Sequence, residues 1–165
     1  MGKIKTGDMV LGIARILVGF SILWTFLDKL VGFGFPTEYG KAWINGASPT
    51  YGYLTQGTFG ILKSFFVWLA SFSSLIDWIY MAGLLGIGIS MIFGIANKMG
   101  SFSGFTLFIL IWLSAFPPLH NPFVDEHLVY AVLFLCFYYL ESGEKLGFGG
   151  KWAKSKAVKK FGFLK

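Results

Sequence analysis

Long apolar runs dominate this chain and limit the folds that it can adopt. Four segments approach the roughly 20 residues that a helix needs to cross a bilayer, at about 9–30, 77–96, 101–116 and 124–140. Hydrophobic residues make up 55% of the sequence and charged residues only 13%, whereas a water-soluble domain of this size needs far more polar surface. The pattern predicts an all-α integral membrane protein, built as a bundle of four transmembrane helices.

The connection between the first two runs, residues 31–76, is too long for a simple turn. Its first part is rich in glycine, proline and aromatic residues, and residues 60–76 form a short apolar stretch. We predict a long extracytoplasmic loop that carries a short interfacial or re-entrant helix, with a fifth crossing as the alternative. Loops of this length often serve as lids over sites.

Lysines set the predicted orientation in the membrane. Seven of the 14 basic residues lie in a tail at 145–165, after a membrane domain at 1–144. Together with Lys3, Lys5 and Lys98, this tail makes one side strongly basic, which predicts a multi-pass protein of the cell membrane with both termini in the cytoplasm. The basic tail predicts contact with anionic lipid headgroups rather than with nucleic acid.

The first apolar run carries two cations that share one helical face. Arg15 and Lys29 are 14 residues apart, close to four helical turns. Lys29 lies near the outer end, where extension of the side chain to the interface is the alternative to binding a ligand. Arg15 lies deeper, which favours an interior partner or ligand over such extension.

A second polar group stands at the start of the fourth run. Asn121 followed by Pro122 predicts a helix N-cap and first turn. Turn chemistry does not account for the two histidines, and a histidine beside a carboxylate near a membrane is a candidate for proton transfer. The predicted topology gathers several polar or aromatic residues at the outer end: Asp28, Lys29, Trp43, His120, Asn121, Asp125, Glu126 and His127. Such a pocket suits an anion or a quinone head group.

Three motifs resemble the DoxX/DoxD family of membrane proteins. R-x-x-x-G followed by W-x-x-x-D-K-L lies between Arg15 and Leu30, and KAWINGASPTYGYL at 41–54 is similar to the family's post-helix loop. HNPFVDEHLVYAVLFL at 120–135 is similar to the segment that opens the family's last helix. The resemblance spans residues 10–140 in order. It is strongest to DoxD, the large subunit of thiosulfate:quinone oxidoreductase.

This resemblance implies oxidation of thiosulfate to tetrathionate, with electrons passed to membrane quinone, and a second subunit resembling DoxA. It implies catalytic roles for Lys29, Asp125 and His127, which would receive the thiosulfate dianion or exchange protons during quinone reduction. The acids repel the dianion unless they pair with Lys29 or bind protons. The remaining residues expected to bind substrate or quinone are Arg15, Trp24, Asp28, Trp43, His120, Asn121, Glu126 and Tyr130.

The expected electron acceptor is quinone, and the sequence offers no sign of another redox group. It has no flavin or dinucleotide fingerprint, a single cysteine at Cys136, and no histidine pair suited to haem. No metal, flavin or haem is therefore expected in this chain. Electrons would pass directly between substrate and quinone, or through a cofactor or thiol of a partner.

Two other functions stay open. One is a non-catalytic membrane subunit associated with a terminal quinol oxidase complex, which would show no dependence on quinone or thiosulfate when purified alone. The other is a small oxyanion transporter with Arg15 and Lys29 along its route. The sequence has no evident internal repeat, which weighs against a transporter.

Overall fold

Residues 5–164, described by a computed structural model, form helices and connecting segments with no strand in that range. The predicted inner-side residues Lys3 and Lys165 lie outside it. The α-helices are α1 (Thr6–Val31), α2 (Lys63–Leu69), α3 (Ser73–Phe93), α4 (Asn97–Ser114), α5 (Glu126–Tyr139), α6 (Gly149–Trp152) and α7 (Lys156–Lys160). The all-α expectation is confirmed.

The predicted runs correspond to α1, α3, α4 and α5, but the second helical stretch begins earlier than expected. α2 continues through a 3-10 turn at Ala70–Phe72 directly into α3. The apolar stretch at 60–76 therefore leads into α3 instead of forming a separate helix within the loop. The sequence predicts that this helix starts near residue 77, which is too late. The polar Asp77 interrupts the apolar run, but the helix continues through it.

Within residues 5–164, two helical stretches are long and apolar enough to cross a membrane by length and composition. Thr6–Val31 has 26 residues and a mean hydropathy of 2.0, and Lys63–Phe93 has 31 residues and a mean hydropathy of 1.8. The apolar helix Glu126–Tyr139 is shorter.

The bundle consists of two helix pairs, in which α1 packs along α3 and α4 packs along α5, while α3 also contacts α4. Within residues 5–164, α1 and α5 have little direct backbone packing between them. Glycines allow the close approach of α1 and α3, since a Cβ at Gly19 would lie only 2.6 Å from the Cβ of Met91. The central buried cluster contains Ile22, Met81, Leu84, Ile87, Met91, Phe134 and Phe137.

Arg15 lies at the end of the bundle where α3 ends, and its side chain is fully buried. Its guanidinium donates to five carbonyl oxygens, those of Met91, Ile92, Ser142, Lys145 and Leu146. A guanidinium has five N–H groups, so none remains for a ligand. The interior partner expected for Arg15 is therefore the backbone, including the last turn of α3, whose carbonyls favour a cation.

The segment expected to be a separate basic tail begins as part of the bundle. The N–H of Phe148 donates to the carbonyl of Phe93 at 2.8 Å, and Lys145 forms a salt bridge with Asp8 at 3.3 Å. Further along, Gly162–Leu164 contacts α4. The described part of the tail thus folds against the Arg15 end of the helices.

We predict that Arg15→Met destabilises the protein by about 3 kcal/mol or more, because five buried carbonyls lose their donors. Arg15→Lys should lose less, since an ammonium keeps the charge and three donors. The measurement is the free energy of unfolding in detergent micelles. Lys63→Met, at an exposed lysine, is the control and should stay within about 0.5 kcal/mol of wild type. An Arg15→Met protein as stable as this control would contradict the structural role.

Candidate functional site

A cavity of about 310 Å³ lies at the opposite end of the bundle, within the range of small-molecule sites. We call it the Lys29 cavity. Most of its wall is apolar and comes from α2, α3 and α4. Its lining residues are Lys29, Pro49, Thr50, Tyr53, Leu54, Phe66, Leu69, Ile76, Tyr80, Leu107, Leu110, Ile111, Ser114 and His127. It therefore combines an apolar interior with a few polar groups from five segments of the chain.

Lys29 brings a half-buried ammonium to this cavity. Its Nζ lies 3.4 Å from the carbonyl oxygen of Pro49 and 5.9 Å from the centre of the Tyr80 ring. Among the described residues, no carboxylate lies within salt-bridge distance of Nζ, and Asp125 pairs with His127 instead. An ammonium with only weak protein partners favours a ligand that offers a negative charge or a carbonyl oxygen.

His127 and Asp125 form a hydrogen-bonded pair at the edge of the Lys29 cavity. The Nδ1 atom of His127 lies 2.9 Å from a carboxylate oxygen of Asp125. The other carboxylate oxygen accepts the backbone N–H of Leu128 at 3.1 Å, which makes Asp125 the N-cap of α5. One side chain thus starts the helix and orients the imidazole.

The ionisation state of Asp125 decides which ring nitrogen of His127 carries the proton. Burial opposes ionisation of Asp125, but the hydrogen bonds from His127 and Leu128 and the nearby imidazole outweigh it and lower the pKa of the carboxyl. An ionised carboxylate only accepts hydrogen bonds, so Nδ1 must be the donor. Nε2 has no partner within residues 5–164, and His127 lines the cavity.

Asn121 does not cap the helix, so this part of the prediction is wrong. Its side-chain oxygen accepts the N–H groups of Phe123 and Val124, both at 3.0 Å, and forms a turn before α5. The same residue type suits both roles, and Asp125 takes the cap because α5 begins at Glu126.

Two buried carboxylates hold the long loop over the site. Asp28 accepts the N–H groups of Phe33 at 3.2 Å and Thr37 at 2.8 Å. Asp77 accepts the hydroxyl of Ser48 at 2.9 Å and both the N–H and the hydroxyl of Thr50. Asp28, expected to bind a ligand, is occupied by loop N–H groups, and the sequence reasoning missed Asp77.

Two tyrosines of the site were also missed. The hydroxyl of Tyr53 lies 2.7 Å from that of Ser114, and burial raises the pKa of the Tyr53 phenol. The hydroxyl of Tyr80 has no hydrogen-bond partner in the described part of the chain, although Tyr80 lines the cavity. A tyrosine inside an otherwise apolar run, one turn after Asp77, is the signal that could have identified Tyr80.

A second cavity of about 240 Å³ adjoins the first, and we call it the Ser21 cavity. Its lining residues are Val18, Ser21, Ile22, Thr25, Tyr80, Leu84, Leu107, Phe108, Ile111, His127 and Tyr130. Tyr80, Leu107, Ile111 and His127 line both cavities. Tyr130, expected to bind quinone, belongs to this second cavity and stacks on Phe108 with ring centres 5.1 Å apart.

The other expected binding residues lie outside both cavities. Trp24 stacks on Phe33, and Trp43 packs edge-on against Trp78. Arg15, Asn121, His120 and Glu126 do not line either cavity, and the last three are exposed. The structure therefore brings together Lys29, His127, Asp125 and Tyr130 from the expected set.

Asp125, Glu126 and His127 also form the one described group whose spacing could hold a metal ion, with ligand atoms within 4.8 Å of one another. Because the three residues are consecutive in the chain, such spacing follows from local geometry alone. Metal binding through Nδ1 would have to break the hydrogen bond between His127 and Asp125.

Comparison with known proteins gives no match: no family model, no curated protein and no solved structure matches this chain. The resemblance to the DoxX/DoxD family therefore stays a prediction. Function is inferred from the Lys29 cavity and its side chains.

We predict that Asp125→Ala lowers the free energy of unfolding by about 1 kcal/mol through loss of the cap. Asp125→Asn should lose less, because asparagine also caps helices. The folded pKa of Asp125 is depressed, so its contribution is present above about pH 4 and is lost as the pH falls through the folded pKa.

Unfolding measured between pH 7 and pH 3 checks this prediction. Part of the loss of stability of wild type at low pH should come from protonation of the Asp125 carboxylate. Asp125→Asn should lack that part, because asparagine does not titrate. The same pH dependence in both proteins would show that the carboxylate does not stabilise the fold.

Proposed function

We propose that this chain is the quinone-binding membrane subunit of a thiosulfate:quinone oxidoreductase, and that the Lys29 cavity holds the quinone head group. One observation carries the proposal. Lys29 and Tyr80 bring hydrogen-bond donors with few or no protein partners to one largely apolar cavity, and His127 adds an Nε2 atom that donates when the ring is protonated. A quinone has an apolar ring and two acceptor oxygens, which matches such a wall.

The surface of the helices supports a position within the bilayer. Leu17, Phe20, Trp78 and Ile79 are each about 60% exposed or more, on α1 and α3. Large exposed apolar faces of this kind suit lipid rather than water. In the proposed topology α1, Lys63–Phe93, α4 and α5 cross the membrane, with the basic Arg15 end in the cytoplasm and the Lys29 end outside.

The proposed reaction balances with two electrons. Two thiosulfate ions each lose one electron and form the central S–S bond of tetrathionate, while the quinone gains two electrons and two protons to become quinol. The apolar wall and the acids Asp125 and Glu126 disfavour a dianion. We therefore assign thiosulfate oxidation to a second subunit resembling DoxA, which passes the electrons to this site.

The residues of the cavity have distinct tasks in this proposal. Lys29 stabilises the negative charge that develops on a quinone oxygen during reduction. When both ring nitrogens of His127 carry a proton, the Asp125 carboxylate stabilises the imidazolium, which then gives its Nε2 proton to the quinone and becomes neutral. Asp125 and the exposed Glu126 connect His127 to protons in the solvent.

The test follows reduction of a quinone analogue on adding thiosulfate to the purified chain, with and without a candidate partner. We predict that His127→Ala lowers the rate by about 100-fold or more, as for loss of a proton donor. Lys29→Ala should lower it by a similar factor, as for loss of an oxyanion donor.

Matched controls exist at the same end of the bundle. Lys41 is exposed and pairs with Glu38, and His120 is exposed and lies outside both cavities. Lys41→Ala and His120→Ala should keep the wild-type rate. Full activity of Lys29→Ala and His127→Ala would contradict the assignment of the Lys29 cavity as the quinone site. No reduction in any folded preparation would instead favour a non-catalytic subunit of a terminal quinol oxidase complex.

A further inference from the structure

The Ser21 cavity extends the Lys29 cavity toward the surface between α1 and α5. It shares Tyr80 and His127 with the Lys29 cavity, so the two spaces adjoin at these side chains. On its other side it is lined by Ser21 and Tyr130, both of which are exposed. The space therefore opens to the outside of the bundle where α1 and α5 have little backbone packing.

The position of this opening along α1 fixes what it faces in the proposed membrane topology. Ser21 lies ten residues before Val31, the last residue of α1, which corresponds to about 15 Å along the helix axis. That is about half the thickness of the hydrocarbon core. The opening thus lies at the depth of acyl chains, below the headgroup region.

The chemistry of the rim suits an apolar chain. The hydroxyl of Thr25 donates to the backbone carbonyl of Ser21 at 3.0 Å, so it needs no water. Apart from the hydroxyls of Ser21, Tyr80 and Tyr130 and the ring of His127, the lining is aliphatic or aromatic, as at Val18, Leu84 and Phe108. The small side chain of Ser21 leaves the gap open.

We propose that the Ser21 cavity is the lateral passage through which the isoprenoid tail of a membrane quinone leaves the Lys29 cavity. This inference rests on the proposed function of that cavity. The head group lies against Lys29, Tyr80 and His127, and the tail runs between α1 and α5 into the lipid. Quinone then exchanges with the bilayer without passing through water.

The experiment compares two probes that share one head group. They are 2,3-dimethoxy-5-methyl-1,4-benzoquinone, which has no tail, and its decyl derivative. Dissociation constants are measured by calorimetry on the full chain in lipid nanodiscs. Ser21→Trp fills the passage, and Leu17→Trp places the same bulk one turn away on the exposed face of α1, outside both cavities.

We expect Ser21→Trp to raise the dissociation constant of the decyl quinone by about tenfold or more, the scale of a steric misfit in a fitted pocket. The tail-less quinone should bind within about twofold of wild type. Leu17→Trp should change neither constant. Circular dichroism of both variants verifies that the exposed substitutions leave the helices intact.

Three results would overturn the passage. Unchanged binding of both quinones by Ser21→Trp would show that the tail does not pass there. The head-group site would still stand in that case if wild type binds the quinones and Lys29→Ala abolishes the binding. A selective loss for the decyl quinone in Leu110→Trp alone would move the passage to the other side of the Lys29 cavity, where Leu110 is 47% exposed. Failure of wild type to bind either quinone would overturn both proposals.

Discussion

Charged side chains that satisfy backbone groups at the ends of helices are the interactions on which this structure depends. An apolar chain has few polar side chains to spare, and buried N–H and C=O groups outside regular helices are costly if unpaired. α1 meets this need at both ends. Arg15 donates to five carbonyls at one end, and Asp28 accepts N–H groups of the following loop at the other.

The same constraint shapes the candidate site. Asp77 fixes the loop at Ser48 and Thr50, so the loop lies over the cavity and supplies part of its wall. Because the carboxylates of Asp28 and Asp77 are both bound by the loop, the ammonium of Lys29 has no salt-bridge partner among the described residues. A structural solution for the loop thus leaves a cation available for a ligand.

The helical runs and part of the site could be predicted from the sequence, and the failures share a physical cause. Apolar runs predict helices directly. The prediction that His127 lies beside a carboxylate agrees with its hydrogen bond to Asp125. Arg15 and Asp28 were expected to bind ligands because a charge in a membrane helix suggests function. Arg15 instead binds backbone carbonyls that are distant in sequence, and Asp28 binds N–H groups of the loop that follows α1. Tyr80 was missed because its neighbourhood forms only when α1, α3, α4 and α5 come together.

The most direct test of the central claim is photolabelling of the purified protein with an azido-benzoquinone, followed by mass spectrometry of the labelled peptides. If the Lys29 cavity holds the quinone head group, the label should appear on peptides from Lys63–Phe93 and Glu126–Tyr139, which carry Tyr80 and His127. Excess unlabelled quinone should remove it. Label that resists competition, or that is confined to α6 and α7 at the opposite end, would contradict the claim.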